Sequence, residues 1–96
     1  MTSSLPPLEH LLALSEAMAN AAAAGDWATL ASREAERRAL ADGLPATLTA
    51  SLSPSAHARS RSLIESCLRC DASVRPLVEA RLGELRVVLR AASGGN

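Results

Sequence analysis

The sequence predicts an all-α fold, an antiparallel three-helix bundle made of a helical hairpin and a long third helix. Three observations carry that expectation. Twenty Ala and sixteen Leu stand against four Val and one Ile, so helix formers dominate and sheet formers are scarce. Apolar residues recur at three- and four-residue spacing along most of the chain. The breaks between these runs carry Gly, Asp, Ser and Pro, which end and restart helices.

The 96 residues suit a single domain. There is no Phe or Tyr, and Trp27 is the one aromatic residue. A core of Leu and Ala buries little area per residue and leaves a small margin over chain entropy. Support from a homodimer or a bound partner is therefore in keeping with the composition.

Residues 1–7 read as a lead-in. The first helix is expected over about 8–24, with the stripe Leu8, Leu11, Leu12, Ser15, Met18, Ala19 and Ala22. Gly25 suits the left-handed residue after a helix, and Asp26 suits the N-cap of the next. So short a connection implies an antiparallel hairpin. The second helix is expected over about 27–42, ended by Asp42-Gly43 and the following Pro45. Trp27 should pack against the end of the first helix. The stripe continues with Leu30, Glu34, Arg37 and Ala41, and its middle is charged.

Residues 43–55 read as a loop, with one short helical turn after Pro45 and a cap-and-proline start at Ser53-Pro54. The third helix is expected over about 56–90. Its stripe is Ile64, Cys67, Asp71, Val74, Val78, Arg81, Leu85 and Val88. Pro76 removes a backbone hydrogen bond, so a kink or break is expected near Asp71–Ser73, with Ser73 free to cap a separate final helix. Residues 91–96 read as a flexible tail.

The chemistry-bearing residues do not converge. Ten basic and ten acidic residues cancel, which removes the electrostatic footprint of a nucleic-acid binder. No run of apolar residues is long enough to cross a membrane, and the start lacks a basic leader, so a cytoplasmic location is expected. Cys67 and Cys70 form a Cys-x-x-Cys in the middle of a helix, without the preceding strand that a redox site needs. With only His10 and His57 to add, a zinc set is not expected. No nucleophile elbow or phosphate-binding loop is present. Neither enzyme activity nor a cofactor is expected.

Two surpluses remain. Glu34 with Arg37 or Arg38, and Asp71 with Arg81, put charge inside apolar stripes, so a Glu34–Arg81 or Arg37–Asp71 bridge between helices is open. Such pairs either fix register at the edge of the core or rim a groove. Leu14, Leu40, Leu63, Leu77, Val87 and Leu89 lie at or beyond the stripe margins, more than a small bundle hides. The candidate partner-binding residues are Leu40, Leu63, Leu68, Leu77, Arg81 and Leu89. Trp27, Leu30, Glu34 and Arg37 are the expected structural anchors.

The second helix, Gly25-Asp26-Trp27-x-x-Leu30-x-x-x-Glu34-x-x-Arg37-x-x-Leu40, resembles the signature of the FliT-type flagellar export chaperones. The opening Leu11-Leu12-Ala13-Leu14-Ser15-Glu16-Ala17-Met18 and the run from Leu63 to Leu85 are similar to that family's first and closing helices. The resemblance spans about residues 8–90. It implies a cytoplasmic chaperone that holds the flagellar filament-cap protein before export and engages soluble export-apparatus components. It places the client groove between the second and third helices. Some members carry a further covering helix and act on a transcriptional regulator; with few residues after Arg90, that helix is not expected here. The alternative is a generic helical adaptor or a homo-oligomeric coiled-coil protein.

Overall fold

The computed structural model describes residues 5–44 and 52–94, which form three helices and no strand: α1 (Leu5–Ala23), α2 (Trp27–Asp42) and α3 (Pro54–Gly94). Helix α1 starts three residues before the expected point. Pro6 and Pro7 fall in its first turn, where no backbone N–H is required.

The hairpin turn is closed by hydrogen bonds that the sequence dictates. Gly25 takes φ +71°, a conformation that Cβ-bearing residues rarely adopt. Its N–H donates to the Ala22 carbonyl (3.1 Å), and the Asp26 N–H donates to the Ala21 carbonyl (2.8 Å). Together these cap the C-terminus of α1. The Asp26 carboxylate then opens α2 by accepting from the Thr29 N–H (3.2 Å) and the Thr29 hydroxyl (2.7 Å). One residue thus ends one helix and begins the next.

Helix α3 begins at Pro54, two residues earlier than expected, with the Ser53 hydroxyl accepting from the Ala56 N–H (3.2 Å). Of the kink or break expected near Asp71–Ser73, the break does not occur: α3 is continuous from Pro54 to Gly94. A 41-residue helix is about 60 Å long at about 1.5 Å per residue, and the longest dimension of the molecule is 64 Å. Ala72 and Pro76 are both exposed, so the carbonyl that Pro76 leaves unpaired faces water. Ser73 caps no separate helix; its hydroxyl donates to the Cys70 carbonyl (2.8 Å). The expected tail is helical as far as Gly94. The suggested turn after Pro45 lies outside the described residues.

Contacts set the directions. Glu9 pairs with Arg59, and Met18 and Ala22 cluster with Val74, so α1 and α3 run parallel. Arg37 meets Ser15 and Asp71, so α2 runs antiparallel to both. Helix α1 is the middle layer. No Cα of α2 comes within 8 Å of one in α3.

Burial follows from that layering. Leu8, Leu14, Ser15, Met18, Ala21 and Ala22 of α1 are buried, whereas α2 has no fully buried residue. Leu14, expected at the stripe margin, belongs to the core, because a helix packed on two sides hides more than one stripe. Helix α3 contributes Ala56, Ser60, Leu63 and Val74. Over residues 82–93 it contributes no buried residue. In that segment Leu82, Leu85, Val87, Val88 and Leu89 are all exposed.

The Thr29 hydroxyl and backbone N–H hold the Asp26 carboxyl below its ordinary pKa. A depressed carboxyl pKa stabilises the fold above the unfolded value, and that contribution is lost as pH falls through the folded value. Asp26→Ala is therefore expected to lower the melting temperature at pH 7 and to match the parent at about pH 2. Thermal unfolding across pH checks this; a pH-independent gap between the two would refute it.

Candidate functional site

Where α3 passes the top of the hairpin, the three helices enclose an apolar groove of about 440 Å³. The buried cluster of Met18, Ala22 and Val74 forms its floor, with Trp27, Leu30 and Val78 packed against that cluster. Ala31 of α2 and Leu82 and Leu85 of α3 complete the walls. The unbranched Met18 side chain lets such a floor adapt to different apolar shapes. Glu34 and Arg81 supply charge at the rim, and the Arg81 guanidinium lies over the Trp27 ring, 6.0 Å from its centroid. At an exposed site that contact contributes about 0.5–1 kcal/mol.

Behind the groove sits a polar clasp. Arg37 Nη1 donates to the Ser15 hydroxyl (3.1 Å) and to Asp71 Oδ1, joining all three helices through one side chain. Ser15 is 1% exposed, while Arg37 and Asp71 keep about a quarter and a third of their side chains in solvent. Of the two bridges left open, Arg37–Asp71 forms. Glu34 pairs with Arg38 along α2 instead (2.8 Å).

The expected anchors meet here. Trp27, Leu30 and Glu34 line the groove, and Arg37 makes the clasp. Among the candidate partner residues, Arg81 lines the groove, and Leu77 is partly exposed on the same helix. Leu63 is buried, so its surface is not open to a partner. Leu40 is half-buried on α2. Leu68 and Leu89 are well exposed but separated by about 30 Å of helix at about 1.5 Å per residue, so they do not share a patch. Met18, Val74, Val78, Leu82 and Leu85 are groove residues that the candidate set leaves out. The α3 stripe read from the sequence already held Val74, Val78 and Leu85.

A larger depression, of about 650 Å³, runs along the first turns of α3. Among the described residues its lining comes from α3. Cys67 and Cys70 are free and half-buried, and His10 and His57 are exposed. Among the described residues no group of three His, Cys, Asp or Glu is arranged to hold a metal ion. Burial, and then the Glu16 carboxylate, push the Cys70 thiol above its ordinary pKa. That favours the unreactive thiol over the thiolate.

A family model described as flagellar protein FliT matches residues 5–96. No curated protein and no solved structure matches the chain.

Two outcomes follow from the site. Arg37→Ala is expected to cost about 1–2 kcal/mol, with about 1 kcal/mol of coupling to Asp71→Ala, because the pair is only partly desolvated. Urea unfolding of the double-mutant cycle measures it, and additive effects would show that the clasp is idle. With Cys67 replaced by Ser, Cys70 is expected to react with iodoacetamide at pH 8 more slowly in the folded chain than in the unfolded one. Equal rates would contradict the shielding.

Proposed function

Because the chain belongs to the FliT family of flagellar export chaperones, we propose that it holds the flagellar filament-cap protein before export, seating an apolar segment of it in the groove between α2 and α3. The observation that carries this reading is the groove itself, an open apolar trough whose walls come from three helices. An amphipathic helix laid in such a trough buries its apolar face and leaves its charged face wet. Glu34 and Arg81 at the rim would orient it by charge. The reading involves no catalytic step and no cofactor.

A cytoplasmic location and contact with soluble export-apparatus components belong to the same proposal. No helix among the described residues is long and apolar enough to cross a membrane. Neutral net charge gives no reason to invoke nucleic acid.

Ala31 offers a clean test, being an exposed small residue on the groove wall. Ala31→Trp would fill the trough from the α2 side without disturbing the buried cluster. Its affinity for the purified filament-cap protein is expected to fall at least about tenfold, or about 1.4 kcal/mol, with an unchanged helical spectrum. Calorimetric titration measures this. Parent-like binding by the variant would sink the groove as the client site.

A further inference from the structure

The rim of the groove carries two charges, and only one of them has a counter-charge. The chain has ten arginines and no lysine, and all ten of its acids lie among the described residues. Most of the arginines are exposed. Three are half-buried: Arg33, Arg37 and Arg81. Arg33 pairs with Glu36 and Arg37 with Asp71, so each is neutralised where water is scarce. Arg81 meets no carboxylate among the described residues; its guanidinium rests over the face of the Trp27 ring.

Helix α3 does not supply the missing acid. The positions four residues to either side of Arg81, where a partner would pair best, are Leu77 and Leu85. Glu84, at three-residue spacing, is exposed and forms no ion pair with it. Across the groove, Glu34 is held by Arg38 (2.8 Å). The α2 rim is thus neutral and the α3 rim positive.

A half-buried cation carries a desolvation cost until a counter-charge reaches it. The Trp27 face is the weaker substitute, because a guanidinium–carboxylate pair is charge-assisted and bidentate. We infer that Arg81 is the specificity-determining residue of the groove: it takes a carboxylate on the flank of the apolar segment that binds there, and leaves the Trp27 face to an apolar side chain of that segment. The inference rests on the groove being the client site and adds what the client must carry. Its segment is an apolar stripe with an Asp or Glu on the side that meets α3; Glu34, already paired, makes no matching demand on the α2 side. One cation set beside Val78, Leu82 and Leu85 suits a single carboxylate among apolar side chains. A run of phosphates needs several cations together.

Calorimetric titration with the purified filament-cap protein from about 50 to about 500 mM NaCl tests this, since salt screens an ion pair. The parent is expected to lose about threefold or more in affinity over that range. Arg81→Gln should bind about tenfold more weakly at the low-salt end and show little dependence on salt. Arg81→Lys keeps the charge without the planar fork, so it should fall between the two and retain the salt dependence. Arg86→Gln, on the same helix but outside the groove, should match the parent in both respects. A parent whose affinity ignores salt, or an Arg81→Gln chain that binds like the parent, would overturn the assignment. So would an Arg81→Gln chain that weakens yet keeps the parent's salt dependence, since Arg81 would then only prop Trp27. Ala31→Trp separates this inference from the reading beneath it. If Ala31→Trp loses binding and Arg81→Gln does not, the groove stands and the role of Arg81 falls; if both bind like the parent, the groove falls as well.

Discussion

The architecture hangs on α1 being buried from two sides. Helices α2 and α3 each rest on it, and their backbones stay apart. That is why the core residues concentrate on α1 and why Ala and Ser occupy so many of its inward positions. Small side chains let two neighbours come close to one helix at once. The Arg37 clasp is what this arrangement needs in addition. A long side chain crosses the edge of α1, satisfies the buried Ser15 hydroxyl and reaches Asp71, tying the two outer helices together where no backbone contact does.

The same layering creates the groove. Because α2 and α3 diverge around α1, the space above Met18 is roofed by nothing, and Trp27, Leu30 and Val78 become walls. A chain that filled this space with its own large aromatic residues would gain stability and lose the trough. With Trp27 as its only aromatic, it leaves the space open. The thin core and the binding surface are two aspects of one composition.

Much of this was legible in the residues. The Gly25-Asp26 turn could be read because Gly is favoured at the left-handed position after a helix and Asp is a favoured N-cap; the double bond to Thr29 emerged only from the structure. The Arg37–Asp71 bridge could be read as one of two options, since both residues interrupt apolar stripes on helices expected to pack together. Leu63 and Leu14 could not be placed, because periodicity gives the direction of a side chain along its own helix and not the number of neighbours that cover it. Pro76 misled for a related reason. A proline in a helix removes one backbone hydrogen bond and crowds the carbonyl four residues earlier; here Ala72 and Pro76 are both exposed, and Val74 and Val78 of the same stretch pack into the core, so the helix continues past it.

Helix α2 reaches the molecule without one fully buried side chain, held by half-buried groups, the Asp26 cap and the clasp. In the hierarchy of partial openings that any native protein samples, such an element costs least to lift. Its detachment would leave α1 and α3 paired through Leu8, Ala56, Leu63 and Val74, a two-helix remnant with an enlarged apolar face. Such an opening would widen the trough while the turn at Gly25 kept α2 joined to α1.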